Sequence, residues 1–444
     1  MTYQSFSPEN LRKIFDYENR KGRYLESLFF PEAENLSRKI KEISSTIRKS
    51  NNPIVQEENK LIKKRLIEEK NKYLNLEFEE ISSVISNINL DFDISTLLIN
   101  NVKVYSLKKN KYSYFAVKQI QYILSKSYKI KQADRNSIIA QLKGIMSSTF
   151  PMYILRTDVK GFYENIDRNK LLSKLNHDSN ITLSIKKIIR KILKKYEFIS
   201  SHATGIPRGI GISAYLSELY MRDFDRKIQR QNYVIFYARY VDDIIVIYAP
   251  PHPLNYDILE QKKYVENSLS DLGLKINEEK TTINIIHKGE NPFEINYLGY
   301  RIRWENGQVI MGLSKEKIKR YIKKIDAMIN SYVGKKNIVH SKRDKNKFLL
   351  RVQFLTGNTR LWHNKKQAMV GIYFSNRFIT KSSRHLKLLD RILKNRLDII
   401  NKHLPKEFRK ILDQYNFSQG FGEKRFHSFT PKELKFIVKT WNHV

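Results

Sequence analysis

The clearest pattern in the chain is a pair of apolar runs broken by two acids, Phe236-Tyr-Ala-Arg-Tyr-Val-Asp-Asp-Ile-Ile-Val-Ile-Tyr248. Residues 234–240 and 244–248 are rich in β-branched and aromatic side chains and read as two strands. A surface hairpin alternates apolar with polar positions, and these runs do not, so the expected hairpin is largely buried. A second apolar strand ends at Asp158 and is followed by Phe162-Tyr163. Helical spacing predicts helices in 36–47 and 61–74, one opened by Asp134-Arg135 and running to about Met146, helices in 167–200, one from about Ala214 to Ile228, and one over 256–272. Alternation on both sides of Lys108-Lys109-Asn110-Lys111 predicts a basic hairpin. Further strands are expected after Lys280, over 296–303, and over 308–313, the last two paired across Asn306-Gly307. Residues 1–90 read as a solvated helical extension, and the chain from Ser314 onward as basic helices.

Composition narrows the class. The 444 residues suffice for two or three domains, and 41% hydrophobic with 12% aromatic residues exclude a disordered chain. There is no cysteine, which removes disulfides and thiolate zinc sites and fits a reducing cytoplasm. The N-terminal residues do not read as a signal peptide, and no apolar run reaches the ~18 residues of a membrane span. With 82 basic and 45 acidic residues the net charge is +37, spread along the whole chain. Such a field attracts polyanions, nucleic acid first and a membrane surface second. The richness in Ile, Asn and Lys also points to an AT-rich genome, which contributes to the lysine excess.

The acids carry the chemistry. Two adjacent carboxylates raise each other's pKa unless a cation joins them, and in the flanks only Arg239 is placed to do so. A divalent metal is the usual partner. If the strand ending at Asp158 lies beside the Asp242-Asp243 hairpin, three carboxylates converge into a site suited to magnesium. Two ions roughly 3.5–4 Å apart serve an in-line phosphoryl displacement. A Gly-rich loop, Thr204-Gly205-Ile-Pro-Arg-Gly209-Ile-Gly211-Ile-Ser213, lets backbone approach a ligand closely. A strongly basic protein with these features is a polymerase or a nuclease.

In order and spacing the motifs resemble the palm motifs of reverse transcriptases. Asp158 with Phe162-Tyr163 resembles the first, Gly205-Ile-Pro207-Arg208-Gly209 the second, Tyr240-Val-Asp242-Asp243 the third, 273–281 with Lys280 the fourth, and Tyr297-Leu298-Gly299 the fifth. The resemblance implies an α+β, right-hand polymerase fold with fingers, an antiparallel-sheet palm and a mostly helical thumb, behind a helical N-terminal extension. The implied division is 1–90 extension, 91–150 fingers, 151–312 palm and 313–444 thumb. It also implies two Mg2+ ions held by Asp158, Asp242, Asp243 and the Val159 carbonyl. Tyr163 would stand under the sugar and exclude a ribose 2′-OH, with Phe162 the likelier core member. Gly205, Pro207, Arg208 and Gly209 would pack on the incoming nucleotide and template base. Lys280 would meet the leaving pyrophosphate, and Tyr297, Leu298 and Gly299 would grip the primer. Lys108, Lys109, Lys118 and Arg135 are the finger cations for a triphosphate, unranked by spacing.

Arg208 stands where the family commonly has glutamine, and with Gly211-Ile-Ser213 this looks like the retron-like, abortive-infection and "unknown group" defence enzymes of bacteria. No RNase H, endonuclease or integrase cluster is recognisable. The implied partners are an RNA template, expected to be a noncoding RNA, a DNA primer or product, and deoxynucleoside triphosphates, in the cytoplasm and away from membranes. A second protein subunit or a homo-oligomer stays open. Template-independent or protein-primed synthesis, a catalytically idle RNA-binding scaffold and an RNA-dependent RNA polymerase are the alternatives. The intact acids argue against the scaffold and Tyr163 against RNA synthesis.

Overall fold

The computed structural model describes residues 2–441 except 88–89, 100, 129, 131–132, 149, 253–255, 287–292, 306–307, 335–340, 362–367, 382 and 401–403. The chain opens with helices α1 (Pro8–Arg20), α2 (Leu25–Phe29), α3 (Pro31–Lys49) and α4 (Pro53–Ser86). Proline begins α1, α3 and α4, where its missing N–H costs nothing and its fixed φ suits a helix. A hairpin, β1 (Ile94–Ile99) and β2 (Val102–Leu107), leads to α5 (Lys111–Ser127) and α6 (Arg135–Met146). Then come β3 (Met152–Asp158), α7 (Phe162–Asn165), α8 (Arg168–His177), α9 (Leu183–Ser200), α10 (Ser213–Gln229), β4 (Val234–Tyr240) and β5 (Asp243–Tyr248). They are followed by α11 (Ile258–Ser270), β6 (Thr282–Ile286), β7 (Phe293–Tyr297), β8 (Tyr300–Glu305) and β9 (Gln308–Leu313). The remainder is α12 (Lys315–Val333), α13 (Lys342–Thr356), β10 (Asn358–Arg360), β11 (Met369–Gly371), α14 (His385–Ile399), α15 (Lys406–Asp413), α16 (Phe417–Gly422) and α17 (Pro431–Lys439).

Contacts group the chain into two compact units, 1–133 with 154–283, and 134–153 with 284–444. The first unit holds a sheet in the order β4-β5-β3-β6, so β3 with Asp158 lies beside β5 with Asp243. Strands β4 and β5 pair from Tyr240↔Asp243 back to Val234↔Tyr248, and 244–248 is fully buried, as its apolar run demands. The extension packs on a core of rings: Phe15 of α1, Phe30 before α3, Phe78 of α4 and Phe115 of α5 meet edge to face or tilted, with centroids 5.6–6.0 Å apart. The second unit holds the antiparallel sheet β7-β8-β9 and the short ladder of β10 with β11.

Two expectations need correction. The hairpin lies one strand earlier, β1 with β2, and Lys108–Lys111 is not its tip. Asn110 there caps α5, its side chain accepting the N–H groups of Tyr112 and Ser113, so the lysines lead into a helix. Residues 296–303 are two strands rather than one: Leu298 and Gly299, at φ 46° and 76°, form a two-residue turn between paired Tyr297 and Tyr300. The C-terminal region is mostly helical, as expected, with the short strands β10 and β11 among its helices. Strands β8 and β9 do pair, but the Asn306-Gly307 turn expected between them lies outside the described residues.

Candidate active site

The acidic turn is held from two sides. Val241 and Asp242 join β4 to β5, and Val241 adopts φ 62°, a costly conformation for a β-branched residue. The Val241 carbonyl accepts a hydrogen bond from Arg239 Nη1 at 2.9 Å, and the Asp242 carbonyl accepts the Val159 N–H at 2.9 Å. The second contact ties the turn directly to the residue after Asp158. The fourth motif is tied there too, because Asn277 N–H donates to the Asp158 carbonyl at 2.7 Å and Lys160 N–H to the Lys275 carbonyl at 2.9 Å. These bonds leave the Val159 carbonyl out of the bridge between 159 and 276.

Arg239 does not neutralise the acidic pair. Its guanidinium is almost fully buried and uses all five N–H groups, on Glu218, Asp225 and the Val241 carbonyl. Glu218 and Asp225 lie two turns apart on α10 and therefore share a face. The cation beside Asp243 is Arg156 of β3, whose Nε and Nη2 donate to its carboxylate at 3.2 and 3.3 Å. Burial still pushes the Asp243 carboxyl up to about 6 against the pull of Arg156. Burial and the charge of Asp158 both raise Asp242. Lys280 Nζ donates to Asp158 Oδ2 at 3.0 Å.

These positions bring Asp158, Asp242 and Lys280 together, while Arg156 draws Asp243 to itself. Among the described residues no group of three or more acidic or histidine side chains is assembled that could hold a metal ion, although Asp158, Asp242 and Asp243 lie within electrostatic reach of one another. The donor chemistry of the remaining pair fits a hard divalent cation. Two carboxylates disfavour each other's charge, and the Val159 carbonyl takes no part in the neighbouring bridge.

The Gly-rich loop is clamped to the first motif. Gly205 N–H donates to Ile166 and Ile206 N–H to Tyr163, at 2.7 and 2.8 Å. Gly205 (φ 93°) leaves no room for a Cβ, which would stand 2.8 Å from the Glu164 carbonyl oxygen. Gly209 (φ 103°) likewise abuts β2, where Tyr105 N–H donates to the Arg208 carbonyl at 2.7 Å. Pro207 is buried and its carbonyl accepts the Ser213 hydroxyl at 2.7 Å. Arg208 forms two bonds to Glu164, at 2.9 and 3.0 Å, and its guanidinium lies 5.0 Å from the centre of the Tyr163 ring. Tyr163 is half-buried and within electrostatic reach of Asp242 and Glu218. Phe162 is fully buried against it, a core residue.

The finger cations are mostly engaged. Lys108 pairs with Asp93 at 2.6 Å, and Lys118 with buried Glu18 of α1 at 3.1 Å, whereas Lys109 is exposed. Arg135 belongs to the second unit, where its Nε donates to the Leu298 carbonyl at 2.8 Å and it stacks on Tyr300 at 4.8 Å. It thus braces the turn of Tyr297, Leu298 and Gly299. Lys317 of α12 joins it, donating to the Ser375 carbonyl at 3.1 Å, and burial with Arg135 and Arg320 nearby pushes its ammonium down to about 7. Sequence reasoning missed Arg156, Glu164 and Lys317. Arg156, two positions before Asp158, was the one in view, since alternate residues of a strand share a face.

Residues 98–302 match the family described as "Reverse transcriptase (RNA-dependent DNA polymerase)". Residues 98–302 therefore carry a reverse transcriptase domain, and the helical extension and antiparallel sheets fit the right-hand polymerase fold expected from the motifs. Among curated relatives it is similar to "Retron Ec48 reverse transcriptase" of Escherichia coli, 27% identical over 171 residues, 38% of this chain and 37% of that one. The chain thus spans little more than a third of the length of that bacterial relative. A solved structure, apo telomerase from Candida tropicalis truncated from its C-terminal domain, aligns with TM-score 0.36 and 13% identity over 54% of this chain and 60% of that one. Among the described residues no helix is long and apolar enough to cross a membrane.

Proposed function

We propose that this chain is an RNA-directed DNA polymerase that adds deoxynucleotides to a primer. The observation that carries the reading is the direct tie between the first and third motifs, Val159 N–H to the Asp242 carbonyl, which sets Asp158 and Asp242 side by side with Tyr163 adjacent. Asp158, Asp242 and the Val159 carbonyl would hold magnesium, with Asp243 in reserve on Arg156. Held there, magnesium would supply Lewis-acid stabilisation of phosphoryl charge. The chain's own groups do the rest. Lys280, already at Asp158, reaches the leaving pyrophosphate and donates a proton. Tyr163, capped by Arg208, presents its ring to the sugar and leaves no room for a 2′-OH. The loop from Gly205 to Ser213 packs on the nucleotide and template base, and Tyr297, Leu298 and Gly299 hold the primer.

The likeness to a retron enzyme supports a dedicated noncoding RNA template and an antiphage role. The test is deoxynucleotide incorporation by protein purified with its native operon, without added template, followed by sequencing of the product. A product of defined sequence that disappears after RNase pretreatment is expected. A product that survives RNase would replace templated synthesis by untemplated or protein-primed synthesis at the same site.

A further inference from the structure

The sheet β7-β8-β9 carries a cavity of about 430 Å³ that the polymerase reading leaves unused. On β8, Ile302 and Trp304 are buried, while the alternate residues Arg301, Arg303 and Glu305 line the cavity. Ser383, Arg384 and His385, at the start of α14, line its other side. His385 fits because Gly312, opposite Arg301 in the ladder, has no side chain: a Cβ there would stand 2.1 Å from His385 Nδ1.

The backbone fixes the proton on this ring. The Leu313 N–H donates to His385 Nδ1 at 3.0 Å, and a nitrogen that accepts cannot carry a proton, so the proton sits on Nε2. Nε2 faces Arg301 Nη1 at 3.5 Å, and a guanidinium has no acceptor. Two N–H groups therefore meet with no lone pair between them. Arg301 Nε is also buried, without a hydrogen-bond partner among the described residues. Glu294 holds Arg301 Nη2 and Glu305 holds Arg303, so with Arg384 the three guanidinia exceed the carboxylates by one charge. What this arrangement lacks is an anionic acceptor with several oxygens.

We propose that the cavity is a phosphate-binding site for a nucleic-acid strand, with Arg301 and His385 Nε2 sharing one phosphate oxygen and Arg303 and Arg384 neutralising the charge. The proposal rests on the polymerase reading, which makes nucleic acid the polyanion at hand. An internal phosphodiester and a terminal 5′-phosphate present the same chemistry here.

The test compares wild type, the double variant Arg303→Gln/Arg384→Gln and a charge-matched control, Lys60→Gln/Lys64→Gln on α4. Affinities for one oligonucleotide with a 5′-hydroxyl and with a 5′-phosphate are measured over a salt series. The cavity variant is expected to bind about 3- to 10-fold more weakly, with the slope of log affinity against log salt reduced by about one. Loss on both oligonucleotides marks an internal phosphodiester, and loss on the phosphorylated one alone marks a terminus. Wild-type binding by the cavity variant, or an equal loss in the control, overturns the site. If the double variant does not fold, exposed Arg384→Gln alone gives the same reading. Incorporation by wild type is scored separately, so a failed polymerase reading is distinguishable from a failed site.

Discussion

At the scale of the residue, the centre depends on guanidinium groups that fix carboxylates in place. Arg239 is one peptide away from the Tyr-Val-Asp-Asp turn in spirit of sequence but serves α10, where Glu218 and Asp225 take it, and it reaches the turn only through the Val241 carbonyl. Arg208 is fixed by Glu164 above Tyr163, which sets the ring's attitude. Tyr163→Ala should therefore admit ribonucleotides, lowering sugar discrimination about tenfold or more, a difference of about 1.4 kcal/mol. Competition between deoxy- and ribonucleotides measures it, and unchanged discrimination would place the gate elsewhere. Lys317 gives a pH signature. Its folded-state pKa lies near 7, below the ordinary 10.5, so the fold is penalised for holding the charged form. That penalty is complete below pH 7 and is lifted as pH rises from 7 towards 10.5. The Tm advantage of Lys317→Met over wild type should accordingly shrink between pH 6.5 and 9, and an advantage independent of pH would contradict the assignment. The acids were legible from their motifs. The partners of Arg239 and Asp243 were not, because strand order and helix facing decide them and neither is written locally.

At the scale of the element, tight turns place the functional backbone. The β4–β5 turn carries Val241 at positive φ, a conformation costing of order 1–3 kcal/mol, and bonds from Arg239 and Val159 hold it there. The Gly-rich loop depends on close approach instead. Gly209→Ala would bring a Cβ to 2.6 Å from the Tyr105 carbonyl oxygen at φ 103°, and should cost ~1–3 kcal/mol. Chemical denaturation measures the loss, and a neutral variant would show that β2 yields. Most helices were legible because caps and spacing agree, as with Asp134 before α6. The hairpins were harder. Alternation exists on both sides of Lys108–Lys111, yet the cap at Asn110 outweighs it. The run over 296–303 shows no break, because Leu298 takes a left-handed conformation that nothing in its chemistry announces.

At the scale of the whole molecule, the sequence motifs and the family match coincide: residues 98–302 enclose every acid of the proposed centre. The membership of 134–153 in the second unit was not legible, since it follows from long-range contacts such as that of Arg135 with Leu298. The net charge of +37 names a class of partner but no reaction. The reaction is tested most directly by magnesium-dependent deoxynucleotide incorporation on a primed RNA, comparing wild type with Asp242→Asn. The amide keeps the shape of the side chain and removes its charge. With several kcal/mol of transition-state stabilisation at stake, incorporation should fall at least ~100-fold while Tm stays near that of wild type. Wild-type incorporation by a folded Asp242→Asn protein would contradict the central claim that Asp158 and Asp242 form the polymerase centre.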